Sequence, residues 1–404
     1  SVPLVASSPT LLGLLLVLGV ILALILPGRS QLIFCLGRNI YTSLGLSICC
    51  VLIFWLPGVV GSENFSRSFG VWARVAGMLL AATFLYHFLV RFGLDWCLRA
   101  LILASIFSAI ISLLGIFVAT PIYSLFRVQE LADINSIQVL KYYGSAVACL
   151  LPVVVWSGFQ LGNYWRVLGI IYIPLAIGLI ITLSSLSGLF GLMVGVAVGG
   201  MIGLLHRLEL MRGYASHIFL SFFMLILLGI FVFILYQLPS IPSLDKIENG
   251  IYSGSIPTNI PEGIIDAHRQ YIWGFVLDAS LQAPYFGHGI DTSNFLPGAS
   301  VLIEKFNQSF VPSHPHSWIL EILSETGAFG LFALLVALSC LLNLWLKIAR
   351  IAPGTGACGI ALFFAFWSSS MLNFSIWAAW WQTVFLILTV IVLASGYRAF
   401  ATKL

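Results

Sequence analysis

Long apolar runs separated by short polar connections dominate this chain. They cover roughly 9–27, 40–59, 72–90, 99–119, 144–159, 167–185, 188–205, 218–237, 318–346, 356–372 and 376–396. At about 1.5 Å per residue, helices of this length match a hydrocarbon layer of ~30 Å. Inside lipid every backbone donor and acceptor must be paired within a helix or a closed barrel. Barrel strands would read as alternating stretches of about ten residues, and these runs do not alternate. The pattern predicts an all-α polytopic membrane helix bundle of about 11–12 transmembrane helices.

One polar stretch interrupts the series and divides the chain into N-terminal membrane helices (1–237), a long outer loop (238–317) and C-terminal membrane helices (318–404). A connection of that length is usually functional or disordered. Its apolar and aromatic content, as in Tyr271-Ile272-Trp273-Gly274-Phe275-Val276-Leu277, favours packed helices over disorder.

Composition agrees with the pattern: 60% of residues are hydrophobic and 8% charged, with mean hydropathy +1.07. A soluble domain carries roughly 25% charged residues, so a water-exposed surface cannot be built here. Membrane lipids are expected partners and nucleic acid is not. The seven cysteines all lie in or beside apolar runs, which implies no disulfide framework. The first run leads into Pro27-Gly28-Arg29 without a signal-peptide cleavage pattern, so it reads as a span, and the absent initiator Met hints at a trimmed start.

Lys and Arg in short loops set the orientation. Arg29 and Arg38, Arg91 and Arg99, Arg166, Arg207 and Arg212, Lys347 and Arg350, and Arg398 and Lys403 fall on one side, which should be cytoplasmic. The connections near 60–71, 120–143, 185–188, 238–315 and 372–376 then lie outside. Cations on that outer side (Arg67, Arg74, Arg127, Lys141, Lys246, Arg269, Lys305) are either solvated loop charges or contacts for an anionic headgroup or lipid-linked phosphate.

The outer stretch concentrates the titratable groups. Nine of the fourteen acidic residues and four of the seven histidines lie between 238 and 325. It ends in Ser313-His314-Pro315-His316-Ser317, immediately before the helical run that starts at Trp318. A helix N-terminus disfavours an imidazolium, so His316 is either a neutral base near pH 7 or an interfacial histidine that caps the helix. Zinc is disfavoured, because an i, i+2 histidine pair around Pro315 matches no usual ligand spacing. Glu321 and Glu325, one turn apart, are either an acid/base pair or anchors for loop backbone.

These residues resemble the O-antigen ligases and polymerases of bacterial envelopes. His316-Ser317, nine residues, Gly327, two residues and Gly330 look like that family's signature. So do His268-Arg269-Gln270-Tyr271-Ile272-Trp273 and Pro284-Tyr285-Phe286-Gly287-His288-Gly289 upstream. The resemblance covers about 265–332 closely. It implies a metal-independent, cofactor-free, membrane-embedded glycosyltransferase. The donor would be a glycan linked to undecaprenyl pyrophosphate, and the acceptor a lipid A-core or other glycan outside the bacterial inner membrane. The family's loop histidine maps onto His316 and its loop arginine onto Arg269. Its second arginine is missing, since Ser187 stands at the comparable place.

Such a transfer suits these side chains. Breaking a sugar–pyrophosphate bond passes through an oxocarbenium-like state while negative charge grows on the leaving phosphate. Arginine can hold two phosphate oxygens, and a neutral histidine can take the acceptor proton. Arg127 and Lys141 are the candidate replacements for the missing cation, with His314, His268 and Trp273 as further substrate contacts. A polymerase, whose acceptor is another lipid-linked unit, shares the same motifs. The pattern through Gly289-Ile290-Asp291 resembles ligases more. A transporter or flippase is the reading from another class, and it is weakened because the runs hold almost no ionisable residue besides His87.

Overall fold

The computed structural model describes residues 42–118, 140–207, 215–243 and 250–401, with 13, 17–19 and 21 described singly or in short pieces. The apolar run 9–27, Lys246 and Arg127 lie largely or wholly outside the described residues. The described helices are α1 (Ser43–Val60), α2 (Phe65–Phe92), α3 (Leu94–Phe117), α4 (Lys141–Leu161), α5 (Asn163–Thr182), α6 (Leu186–Arg207) and α7 (Ala215–Tyr236). After α8 (Ala267–Gln282) come α9 (Trp318–Ile351), α10 (Pro353–Ser369) and α11 (Ala379–Ala401). Eight of them, α1–α6, α9 and α11, are long and apolar enough to cross a membrane. With the apolar helices α7 and α10, ten of the eleven predicted runs are helical. The main difference is α2, which begins at Phe65 rather than near residue 72. Its polar first turns are usable because Arg67 and Ser68 bond the backbone of Asp291 and Ile290 at 2.7 and 2.9 Å.

Small residues let the bundle close where lipid offers no hydrophobic drive between helices. Gly191, Gly195 and Gly199 on α6 face Ala365, Ala361 and Ala357 on α10. A Cβ at these glycines would sit 2.3, 2.4 and 2.6 Å from the facing carbonyl oxygens. Gly195→Leu should therefore force the pair apart and cost about 1–3 kcal/mol, read as a lower melting temperature in detergent. Gly200→Leu, on the same helix with nothing within 4 Å of its Cβ position, should melt like the wild type. Equal melting of the two variants would refute this account of the pairing.

Cross-links sort the helix ends as Lys and Arg do. At one end Arg74 reaches the Trp377 carbonyl (2.6 Å) and Ser145 bonds Ser185 (2.9 Å). At the other, Arg398 pairs with Asp95 (3.0 Å) and Gln160 meets Thr355 (3.5 Å).

The described residues of the stretch 238–317 are packed. Its core includes Tyr271, Trp273, Val276, Ile303 and Phe310 and continues onto Leu320 of α9. Three two-residue strands, β1 (Ile251–Tyr252), β2 (Leu302–Ile303) and β3 (Gln308–Ser309), form a small sheet, parallel between β1 and β2 and antiparallel between β2 and β3. Buried Gln270 is fully used: its amide donates to the Ile260 and Ile265 carbonyls (2.7 and 2.9 Å) and accepts from Ile260 N–H (3.3 Å). Such pairing is what keeps polar groups tolerable in a dry core.

Two of the motif glycines, Gly287 and Gly327, have one physical explanation. At Gly327 α9 breaks, with φ 68°. The freed carbonyls of Ser324 and Glu325 accept from His288 N–H and Gly289 N–H (3.0 and 2.9 Å). The freed amides of Ala328 and Phe329 donate to Pro284 and Tyr285 (2.8 and 3.3 Å). This main-chain contact leaves no room for a Cβ at Gly287 or Gly327, where the nearest backbone atoms would stand at 2.3 and 2.2 Å.

Candidate functional site

The two histidines before α9 converge on one acceptor. His316 Nδ1 lies 3.0 Å and His314 Nε2 3.2 Å from the backbone carbonyl of Asn373, in the turn between α10 and α11. A carbonyl only accepts, so both of these nitrogens carry hydrogen. His316 is thereby the Nδ1–H tautomer, with the lone pair on Nε2. His314 takes a hydrogen bond on Nδ1 from the Ser313 hydroxyl (2.8 Å). The rings are 4.1 Å apart, and a charge on one opposes a charge on the other.

Both imidazoles are held neutral. Burial lowers the His316 pKa, the Asn373 bond opposes that, and the charges of Arg269 and His268 lower it further while Asp266 raises it. His314 is pushed down to about 3 by burial and by His316, against its bond to Asn373. The expectation that a helix N-terminus keeps His316 neutral needs correcting in its cause. The helix starts at Trp318 with Ser317 as N-cap, and His316 stands before it in the left-handed region at φ 57°. Of the contacts around the ring, burial has the largest influence on its pKa.

The start of α8 supplies the neighbouring cation. Asp266 caps that helix, accepting from Arg269 N–H (2.9 Å), and its other oxygen lies 3.3 Å from Arg269 Nε. The Arg269 side chain keeps 36% exposure, so its remaining donors are reachable. His268 Nε2 bonds the Ser309 carbonyl (3.0 Å) and its ring packs on Phe306. Trp273 is buried, and its indole donates to the Pro315 carbonyl (2.9 Å). It fixes the segment that carries the histidines rather than presenting an open ring.

Glu321 and Glu325, each 1% exposed, serve as anchors. Glu321 accepts from Ser375 Oγ (2.5 Å) and Ile376 N–H (2.9 Å). Glu325 accepts from the backbone N–H groups of Asp291, Thr292 and Ser293 (2.5, 3.1 and 3.0 Å), from Ser293 Oγ (2.5 Å) and from the Trp377 indole (2.5 Å). Of the two readings of this pair, backbone anchoring is the one the contacts describe.

Of the cations proposed to replace the missing arginine, Lys141 is exposed in the first turn of α4, one turn from Ser145. Arg127 is outside the described residues. Ser187, half-buried in the first turn of α6, stands two residues from Ser185. A further rim cation, Arg67, is committed elsewhere: it pairs with Asp291 Oδ2 (2.9 Å) and lies 5.0 Å over Phe295. Burial raises the Asp291 pKa, and Arg67 and Arg74 oppose the rise.

Sequence reasoning placed residues 372–376 outside but missed Asn373. Its carbonyl meets both histidines, and its side-chain amide donates to Ser145 Oγ (2.6 Å). An asparagine in an outer turn was its only sequence signal. Among the described residues no cluster of His, Cys, Asp and Glu has the arrangement of a metal site.

Comparison with known proteins agrees with the motifs. Residues 170–335 match the family described as O-antigen ligase, which bears out the resemblance drawn from residues 265–332. A protein of Rickettsia conorii that carries the provisional name polysaccharide ligase is 32% identical over 120 residues, 28% of this chain and 28% of its own length. Similarly named proteins of Rickettsia prowazekii (32% over 120 residues) and Rickettsia felis (30% over 120 residues) match 28% of this chain and 29% and 28% of their own lengths. The chain thus aligns with under a third of each relative.

Proposed function

We propose, from the O-antigen ligase match over residues 170–335, that the protein is a ligase-type glycosyltransferase of the bacterial inner membrane. It moves a glycan from undecaprenyl pyrophosphate to a lipid A-core or similar envelope acceptor on the periplasmic side. The observation that carries this reading is a neutral His316 with its Nδ1–H spent on Asn373 and its Nε2 lone pair open, beside the partly exposed Arg269.

The reaction divides between these two side chains. His316 Nε2 takes the proton of the acceptor hydroxyl as its oxygen bonds the anomeric carbon. The bond from that carbon to the phosphate oxygen breaks, and both bonding electrons leave with undecaprenyl pyrophosphate. Arg269 exchanges its contact with Asp266 for two phosphate oxygens and stabilises the charge that grows there. His316 then returns its proton to solvent. Trp273 and His314 hold the histidine segment, and Lys141 is the nearest described candidate for a second phosphate contact.

The direct test incubates purified protein with labelled undecaprenyl-pyrophosphate glycan and either lipid A-core or a second lipid-linked unit. Label on lipid A-core supports the ligase, and chain growth on undecaprenyl supports a polymerase built on the same geometry. No transfer to either acceptor would overturn the reading. In the same assay Arg269→Lys should lose at least about tenfold in rate, because an ammonium cannot reproduce the two-point fork. Full activity of the lysine variant would reduce Arg269 to a general loop cation.

A further inference from the structure

We propose that Asn373 is a positioning residue for His316, its side-chain amide holding in place the backbone carbonyl that decides which imidazole nitrogen is free. This rests on the reading of His316 as the base. The carbonyl accepts from both histidines at 3.0 and 3.2 Å, yet it belongs to a turn between two helices, where no repeating ladder fixes its direction. The amide provides the fixed point. It donates to Ser145 Oγ at 2.6 Å, and Ser145 Oγ shares a hydrogen with Ser185 Oγ at 2.9 Å. A weaker contact reaches Ser369 Oγ at 3.5 Å.

The serine pair is buried. Ser145 is 0% and Ser185 4% exposed. Ser185 is hemmed in by glycines: a Cβ at Gly144 would stand 2.6 Å from its Cβ, and one at Gly188 2.7 Å from its Oγ. Three segments distant in sequence, the start of α4, the α5–α6 turn and the α10–α11 turn, thereby fix one oxygen. The bland alternative is that Asn373 only joins loops. The two readings differ in what happens to His316 when the amide is cut. If the carbonyl is released, the imidazole loses its fixed tautomer, divides between two forms and takes up water.

The groups facing His316 are Arg269, His268 and Asp266 from the start of α8 and His314 from its own segment. Arg269, His268 and Asp266 do not touch Asn373 or Ser145 and stay in place when either is changed, whereas His314, bonded to the same carbonyl, is released with His316. A pKa change at His316 then reports the released carbonyl and the entering water. Burial is the largest influence on this ring and lowers its pKa, and the Asn373 bond raises it, so cutting the amide disturbs both: entering water moves the pKa up and loss of the carbonyl bond moves it down.

The experiment labels the full-length protein in detergent with diethyl pyrocarbonate across a pH series and follows His316 by fragment mass spectrometry. The reagent attacks only an unprotonated ring nitrogen. In Asn373→Ala and in Ser145→Ala the midpoint of His316 labelling should move from its wild-type value, while Ser185→Ala, which leaves the amide its acceptor, should move it less. Turnover in both strong variants should fall about a hundredfold with little change in KM for either substrate. Unmoved midpoints in both variants, with normal melting, would overturn the proposal. If Asn373→Ala does not fold, Ser145→Ala decides it alone. Labelling needs no substrate, so a moved midpoint in a protein that transfers no glycan would sink the transferase reading and leave the positioning role standing.

Discussion

His316→Ala is expected to cut turnover by about 10²–10⁴-fold, the usual loss when a general base is removed, while expression and donor binding stay near normal. The ring's hydrogen bond to Asn373 is one that His314 also makes, and its packing is against the His314 ring. His314→Ala should be milder, because that ring, with a pKa pushed down to about 3 and both nitrogens engaged, offers no free base near neutral pH. The pH profile gives a second reading. Because the His316 pKa is lowered, the neutral base persists below the pH at which an ordinary histidine would be half-protonated. The acid limb of kcat/KM should therefore lie below about pH 6.5 and vanish with the imidazole. Wild-type turnover by His316→Ala in the purified assay would end the proposed mechanism.

Glu325→Ala should be the most damaging substitution for stability. Five donors lose their acceptor at once: three successive backbone amides, a serine hydroxyl and the Trp377 indole. An unsatisfied buried polar group costs about 1–3 kcal/mol, so even partial rehydration leaves a loss of several kcal/mol. The protein should express poorly or melt far lower, and the backbone around residues 288–293 should become open to protease. Glu325→Gln keeps one acceptor oxygen but turns an amide N–H toward facing donors, so it should fall in between. Should Glu325→Ala melt normally and lose only transfer, the carboxylate would have a chemical role and the anchoring account would fail.

The membrane helices were legible because a span announces itself locally: a 20-residue apolar run needs no knowledge of its neighbours. Thus ten runs became helices, while the start of α2 was misplaced because Arg67 and Ser68 look like loop until Asp291 and Ile290 are seen to receive them. His316 and Arg269 could be singled out from motif spacing. The reason for His316's neutrality could not, since burial is a tertiary property. Glu321 and Glu325 remained ambiguous for the same reason, their partners Ser375, Ile376 and Trp377 lying more than fifty positions downstream. Asn373 carried no signal beyond its place in a turn, because what it offers the histidines is a backbone oxygen, which every residue possesses. Gly327, Gly330, Gly287 and Gly289 were visible as a pattern, but only the fold shows what each is for: Gly287 and Gly327 admit the main-chain contact between α9 and residues 284–289, Gly289 lies against Ser62 and Ser68, and Gly330 against Thr326 and Trp55.

The turn between α10 and α11 also imposes a timetable on biogenesis. His316 leaves the ribosome 57 residues before Asn373, and α9 carries two carboxylates whose acceptor capacity is filled partly by Ser375, Ile376 and Trp377. Until α10 and α11 are inserted, the nascent chain holds an imidazole with no assigned tautomer and two glutamates short of partners. A translational stall or insertion fault in the α10–α11 hairpin would leave every earlier span in the membrane and the candidate site unmade. Closure of the site is in this sense a receipt for the insertion of α10 and α11, issued only when that pair has docked.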